Sequence, residues 1–240
     1  MIQRERAYPR MNLRIALIYV AILFIIGVMI FPLVWMFLIS AIEKFRPGSQ
    51  LVPKLSELSF ENYRYLFAET KFLLWFRNST RVAVIATVSS IVVSTLAGYA
   101  LSRFRFQGRR VFAVSLLFSQ MLPAVILLIP LYVSLSSVKL TNDYRGLALS
   151  YLIFALPFSI WMLWGYFDSV PLELEEAAMI DGATRLQALY KVILPLSAPG
   201  IGAVTIFTFV LCWQEYLAAL TLMSSESVTT LPRQREIGRV

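Results

Sequence analysis

The sequence predicts an all-α integral membrane protein with about five transmembrane helices. Of its 240 residues, 58% are hydrophobic and 15% are charged, whereas soluble domains carry roughly 45–50% apolar and about 25% charged residues. The mean hydropathy is +0.71. The apolar residues form long blocks, each above the roughly 18 residues that indicate a membrane span. Because lipid offers no hydrogen bonds to the backbone, these blocks are expected to be helices.

Five apolar blocks mark the expected spans. They are residues 15–42, 82–102, 111–136, 147–167 and 196–223. The first four contain no Asp, Glu, Lys or Arg, and the fifth contains only Glu215. The first block exceeds the roughly 7–15 apolar residues of a signal peptide, so we expect it to be a retained span.

Arginines beside the spans indicate the orientation. Residues 1–14 contain four arginines, and the turn at 103–110 contains four arginines and no acid. Basic residues in short loops favour the cytoplasmic side. The N-terminus and this turn are therefore predicted to be cytoplasmic, and the loop at 141–144 to face outward. The segment 168–195 then returns to the cytoplasm.

The predicted organisation follows from this order. It comprises a basic cytoplasmic N-terminus (1–14), a first span (15–42), an extracytoplasmic loop (43–81), a membrane core (82–223) that includes the cytoplasmic segment 168–195, and a C-terminal tail (224–240).

The composition excludes several functions. The chain has no histidine and a single cysteine, Cys212, so the usual zinc ligand and general base are absent and no internal disulfide can form. The net charge of +8 comes largely from residues next to spans, and no basic face with interleaved aromatics remains. We therefore expect no metal, no cofactor and no nucleic acid, but contact with membrane lipid.

The second span carries a small residue at every fourth position. These residues are Ala86, Ser90, Ser94, Gly98 and Ser102. Such a stripe lets another helix approach closely, which favours a packing role for Ser90, Ser94 and Gly98. Prolines within the spans permit kinks; among them are Pro32, Pro123, Pro130 and Pro157.

The segment 168–195 predicts two short helices joined by a turn. Pro171 suits a first helical turn, and the acids that follow it, Glu173, Glu175 and Glu176, complement the helix dipole. Gly182 is placed to end the first helix in a left-handed conformation. Thr184 and Gln187 have the spacing of a capping box for the second helix. Its expected apolar face consists of Leu186, Leu189, Tyr190 and Ile193.

The charge of this segment indicates what it contacts. An amphipathic loop resting on lipid headgroups usually carries Lys and Arg. This segment instead carries five acids against Arg185 and Lys191. A protein partner is therefore favoured over the lipid surface.

The same segment resembles the EAA motif of ABC importer permeases. Residues 176–183 read Glu-Ala-Ala-Met-Ile-Asp-Gly-Ala, and 192–195 read Val-x-Leu-Pro, with valine in place of the more usual isoleucine. This version is similar to that of the carbohydrate-uptake branch, the relatives of the smaller channel subunit of the maltose importer. Softer matches occur in order at 76–79, 102–106 and 213–216.

The resemblance implies a type I ABC importer permease fold in a bacterial inner membrane. It also implies a second homologous permease subunit, two cytoplasmic ATPase subunits and an extracytoplasmic solute-binding protein. ATP is used by those partners, since this chain has no phosphate-binding Gly-x4-Gly-Lys-Ser/Thr stretch and is not expected to be an enzyme. The residues expected to couple to the ATPase are Glu176, Ala177, Ala178, Asp181, Gly182, Ala183, Leu194 and Pro195.

The resemblance implies six spans, whereas this sequence shows five apolar blocks. The sixth span is expected after residues 229–232, but residues 233–240 are an arginine-rich tail. With five spans and a cytoplasmic start, that tail would lie outside, against the usual charge bias. The sequence therefore suggests a truncated or frame-shifted version of a six-span subunit.

Glu215 is the one acid within a span, which makes it a candidate for function. The alternative is a hydrated residue near the outer interface. Trp213 and Gln214 beside it could face a solute pathway, since sugars are commonly held by stacking and hydrogen bonds.

A secondary transporter or channel that is not ATP-driven remains a second hypothesis, although the inverted repeat or coupling charges typical of one are not evident. A membrane-embedded enzyme would need a cluster of catalytic residues, and the sequence shows none.

Overall fold

The computed structural model describes residues 13–42, 58–223 and 230, most of them helical. They fall into two compact units, Met1–Lys71 and Phe72–Val240. Most of the basic N-terminus and of the C-terminal tail lies outside the described residues. The helices are α1 (Leu13–Ser40), α2 (Glu61–Ala68), α3 (Phe72–Arg103), α4 (Arg109–Met121), α5 (Ala124–Ser137), α6 (Tyr144–Asp168), α7 (Leu172–Ile180), α8 (Arg185–Ala188), a π-helical turn (Leu189–Ile193), α9 (Leu194–Leu196), α10 (Ala198–Gln214) and α11 (Leu217–Leu222).

The first unit is built around α1, which is apolar on every side. Nearly all of its described side chains are exposed within the chain, as expected for a helix whose surroundings are lipid or another protein. The Asn62 amide of α2 donates hydrogen bonds to the carbonyls of Ser40 (3.1 Å) and Ile42 (2.9 Å). These bonds fix α2 to the end of α1.

The second unit has a core in which α3 packs along α6, with α10 against both. The stripe of small residues on α3 lies in this contact, and Ser90 and Ser94 are fully buried. At Gly98, a Cβ atom would lie only 3.0 Å from the backbone nitrogen of Trp164. The backbones of α3 and α6 therefore meet where the side chain is smallest.

Three hydroxyl groups join the same helices. Ser90 on α3 donates to Ser159 on α6 at 3.2 Å, and Ser159 lies 2.9 Å from the hydroxyl of Thr208 on α10. All three side chains are buried. Each polar group thus has a partner inside an apolar core.

In the part of the chain that the structure describes, three helices are long and apolar enough to cross a membrane, and the count rises to five if each of two bent helix pairs is one span. The three are Arg14–Ser40, Phe72–Arg103 and Tyr144–Ser169. This agrees with the predicted class and with about five spans. The expected fourth span, 147–167, is close to the observed α6.

The expected second span begins later than the helix does. The expected span covers 82–102, with Arg77 and Arg81 just before it, whereas α3 begins at Phe72. Charged residues limit how far a helix enters lipid but do not end the helix itself. The expected loop at 43–81 accordingly includes α2 and the first turns of α3.

The expected third span, 111–136, is not one straight helix. Its halves, α4 and α5, are bent by 102°. Leu122 is extended, with φ −75° and ψ 126°, as is usual for a residue before proline. Pro123 cannot donate a backbone hydrogen bond, so α4 ends there. Pro32, Pro130 and Pro157 remain inside helices.

The expected fifth span, 196–223, is also interrupted. The helix α10 ends at Gln214, and Glu215 is extended with φ −67° and ψ 116°. The short α11 follows as a separate helix. The sequence did not predict this break, because the block is apolar and Glu215 is its only charged residue.

Candidate functional site

The acidic segment, residues 168–195, forms the predicted helix and turn. The first helix, α7, begins directly after Pro171. Gly182 has φ +91°, a left-handed conformation that L side chains rarely adopt. The left-handed Gly182 was predicted correctly, whereas Pro171 lies at the N-cap, one position before the predicted first turn.

The second helix of the acidic segment begins with the predicted capping box. The Gln187 side-chain oxygen accepts from the Thr184 backbone N–H at 2.8 Å, and the Thr184 hydroxyl accepts from the Gln187 N–H at 3.3 Å. These bonds satisfy amide groups that a helix start otherwise leaves open. The sequence was sufficient here because both partners lie within one turn.

The predicted apolar face of this second helix is wrong in part. Leu189 and Ile193 are buried in a cluster with Tyr99, Phe167 and Val204, but Leu186 and Tyr190 are 70% and 74% exposed. The helix changes to a π-helical turn at Leu189–Ile193, and the wider turn alters which side chains share a face.

Glu175 is the main residue that sequence reasoning misplaced. It was expected only to complement the dipole of α7, yet its side chain is fully buried. Its carboxylate accepts a hydrogen bond from the Tyr99 hydroxyl at 2.5 Å and forms an ion pair with Nε of Arg103 at 2.9 Å. Tyr99 and Arg103 are four residues apart on α3 and so share one face, which is the only sequence signal of this site.

Two further contacts fix the acidic segment to the end of α3. The Arg103 guanidinium donates to the Val170 carbonyl at 2.8 Å, and the Ser102 hydroxyl donates to the Asp168 carboxylate at 2.6 Å. The Arg103 side chain is only 6% exposed. Displacing α7 from α3 would therefore leave two buried charges unpaired.

The side of the acidic segment away from α3 carries most of the predicted coupling residues. Glu176, Ala177, Asp181 and Gly182 are exposed, and Ala178 and Ala183 are half-buried. Leu194 is half-buried and Pro195 is exposed, farther along the segment. One face of α7 is thus held by the chain itself, and the opposite face is available to another molecule.

Gln214 and Glu215 lie at a cavity of about 480 Å³ between α4, α5, α6 and the end of α10. Ser119 and Gln120 of α4 line the same cavity and were not predicted. Glu215 accepts a hydrogen bond from the Ala218 N–H at 2.9 Å, so its carboxylate also holds the start of α11. The cavity is mainly apolar with a few hydrogen-bonding groups, as ligand pockets commonly are.

Trp213 does not line this cavity. Its ring stacks on Phe209 at 5.7 Å and meets the edge of Phe76 at 5.4 Å. The structure therefore brings Gln214 and Glu215 together and places Trp213 in packing. Within the described residues, no group of three or more Cys, Asp or Glu side chains could hold a metal ion.

The chain is similar to known transport proteins. Residues 90–240 match the family described as "Binding-protein-dependent transport system inner membrane component". The chain is 35% identical to the trehalose transport system permease protein SugB of Mycobacterium tuberculosis, over 87% of this chain and 76% of that protein. It is 36% identical to the trehalose/maltose transport system permease protein MalG of Thermococcus litoralis, over 95% and 81%.

A solved structure supports the same grouping. A chain of a bacterial ABC transporter involved in the import of the acidic polysaccharide alginate superposes with a TM-score of 0.76 at 25% identity, over 98% of this chain and 82% of that one. These relatives agree with the importer permease predicted from the EAA motif, and not with a secondary transporter or channel. The chain belongs to the family of inner-membrane components of binding-protein-dependent transport systems.

Proposed function

We propose that this chain forms half of the translocation pathway of an ATP-driven importer for a sugar or a sugar-like solute. Two relatives are permeases for trehalose or for trehalose and maltose, which supports this class of solute. The arginines at 103–110 and at the N-terminus support a cytoplasmic location for both the N-terminus and the acidic segment.

The observation that carries the proposal is the division of α7 into two faces. Glu175 is buried against Tyr99 and Arg103 of α3, whereas Glu176 and Ala177 on the next positions are exposed. A partner that binds the exposed face and moves would pull on α3 through the buried ion pair. The conformational equilibrium of the partner would then be coupled to that of the membrane helices, because each changes the free energy of the other.

The partner proposed for this face is one of two cytoplasmic ATPase subunits. A second, homologous permease subunit completes the pathway, and an extracytoplasmic solute-binding protein delivers the solute. ATP binding and hydrolysis are assigned to the ATPase subunits, because this sequence has no Gly-x4-Gly-Lys-Ser/Thr stretch. The chain itself is proposed to have no enzymatic activity and no cofactor.

The cavity at the end of α10 is proposed to be part of the solute pathway. The carboxylate of Glu215 and the amides of Gln214 and Gln120 offer both donors and acceptors to sugar hydroxyls. Trp213, at its packed position against Phe76 and Phe209, would act by supporting the end of α10.

Reconstituted transport tests the coupling role. The variants Glu176→Lys and Gly182→Asp change the exposed face of the acidic segment and are expected to abolish uptake while the chain remains in the membrane with its partners. ATP hydrolysis should then no longer respond to the loaded binding protein. Wild-type uptake by either variant would refute the role.

A matched charge reversal outside the acidic segment is the control. Glu61→Lys alters an exposed acid on α2, whose side chain is 55% exposed, and should leave uptake unchanged. The solute class is tested separately, by measuring binding of a panel of sugars to the solute-binding protein encoded nearby.

A further inference from the structure

A second cavity lies beside α4, at the turn that joins it to α3. Its volume is about 550 Å³, and it is bounded by Arg109, Arg110, Val111 and Val114 of α4 and by Trp161 and Trp164 of α6. None of the residues that line it belongs to the acidic segment or to the cavity near Glu215. We call it the arginine groove.

The groove is positively charged without compensation. Among the described residues, no carboxylate forms an ion pair with Arg105, Arg109 or Arg110. Arg103, at the same turn, is different because Glu175 neutralises it. The start of α4 adds to the charge, since Gly108 at its N-cap offers no side-chain hydrogen bond and a helix start carries partial positive charge.

Apolar surface continues directly from the arginines along α4. The side chains of Val111, Phe118 and Met121 are 73%, 62% and 75% exposed. At 1.5 Å per residue, the 13 residues of α4 extend for about 20 Å. A cationic end followed by an exposed apolar face of this length matches a molecule that is anionic at one end and apolar along the rest.

Two tryptophans lie at the boundary between these regions. Trp161 and Trp164 are in edge contact at 5.2 Å, and the Arg109 guanidinium lies 5.5 Å from the centre of the Trp164 ring. Tryptophan is enriched where a membrane protein meets the lipid headgroups. The stacking also orients Arg109, so that part of its rotamer entropy is lost before any ligand binds.

We propose that the arginine groove binds one anionic phospholipid. Its phosphate would lie between Arg109 and Arg110 at the start of α4, and its acyl chains along Val111, Val114 and Phe118. Basic pockets between membrane helices are suited to anionic headgroups. The proposal extends beyond solute import and does not depend on which solute the chain carries.

The test compares two lipids and uses the tryptophans as reporters. The full chain, purified in detergent, is mixed with brominated phosphatidylglycerol or brominated phosphatidylcholine, and fluorescence quenching is measured. The quenching that disappears in Trp161→Phe reports the groove. We expect it to occur at a lower concentration of phosphatidylglycerol than of phosphatidylcholine.

Arginine variants of equal charge separate a site from a diffuse attraction. Arg110→Gln should reduce the preference for phosphatidylglycerol about fivefold, the factor expected per basic residue near an anionic surface. Arg105→Gln removes the same charge from the same turn but outside the groove, and should reduce it less than twofold. Arg110→Lys keeps the charge and should stay within about twofold of the wild type.

Each contrary result overturns the proposal. Equal quenching by both lipids would exclude an anionic headgroup site and would favour an acidic protein surface as the occupant. Equal losses in Arg105→Gln and Arg110→Gln would show a diffuse attraction. Displacement of brominated phosphatidylglycerol by soluble glycerol phosphate as effectively as by the unbrominated lipid would exclude a role for the acyl chains.

Discussion

Glu175 and Glu215 are both acids within the apolar body of the chain, but their surroundings differ. Glu175 is fully buried, with an arginine at 2.9 Å and a tyrosine hydroxyl at 2.5 Å. Glu215 is half-buried at a cavity, and its carboxylate accepts hydrogen bonds from the backbone N–H groups of Ala218 (2.9 Å), Ala219 and Leu217. Among the described residues, Glu215 forms no ion pair.

This difference indicates two uses of a carboxylate. A buried acid with a buried basic partner joins two elements, because separating them leaves two charges without solvent or partner. An acid at a cavity that is held by backbone N–H groups, with no charged partner, can still accept a hydrogen bond from a ligand. The acidic segment and the end of α10 are therefore expected to respond differently to the same kind of substitution.

The largest effect is expected at the buried ion pair. Glu175→Ala strands the charge of Arg103 and should cost about 3–5 kcal/mol in the free energy of unfolding, measured by denaturation of the purified chain in detergent. The double variant Glu175→Ala with Arg103→Ala should recover part of the loss, since no charge is then stranded. Wild-type stability of the Glu175→Ala variant would show that the Glu175–Arg103 ion pair does not hold α7 to α3.

The second largest loss of stability is expected at the left-handed turn after α7. Gly182→Ala places a side chain at φ +91° and should cost roughly 1–2 kcal/mol. Hydrogen exchange in residues 172–188 should speed up accordingly. The control is Gly165→Ala, a helical glycine with no atom within 4 Å of a new Cβ, which should not destabilise the chain. Equal effects would mean that the turn conformation is unimportant.

Removing the capping box is expected to cause a smaller loss in the free energy of unfolding. Thr184→Ala removes the hydroxyl that accepts from the Gln187 N–H and should cost ~1 kcal/mol. Hydrogen exchange should speed up only in the second helix of the acidic segment. Thr184→Ser keeps the hydroxyl and should exchange nearly as the wild type does.

The smallest effect on stability is expected at the cavity. Glu215→Gln keeps an oxygen that can accept from Ala218 and breaks no ion pair, so the free energy of unfolding should change by less than about 0.5 kcal/mol. If the carboxylate binds solute, the KM of uptake should rise while the maximal rate stays close to that of the wild type. A loss of stability as large as that of Glu175→Ala would erase the contrast between the two acids.

Local chemistry could be predicted from the sequence, and distant pairing could not. The capping box and Gly182 depend on residues within one turn, so their spacing was enough. The burial of Glu175 depends on Tyr99, which is 76 positions away. Three acids occur within four residues of α7, and only the packing of α7 on α3 determines which of them is turned inward.

The breaks in the spans show the same limit. Pro123 ends α4, whereas Pro32, Pro130 and Pro157 lie inside helices. A proline removes one hydrogen bond in every case, and neighbouring groups decide whether the helix continues. Composition therefore predicted the number of spans well and their continuity poorly. Gln120 lines the cavity near Glu215 because α4 packs against α6, a contact between distant segments that composition does not reveal.

The chain of hydroxyl groups from Ser90 through Ser159 to Thr208 limits how the core can move. Sliding any of the three helices by one residue would exchange these bonds for unsatisfied groups, at about 1–3 kcal/mol for each group. Small adjustments within α3, α6 and α10 are thus opposed, while rotation of the three as one block leaves the bonds intact.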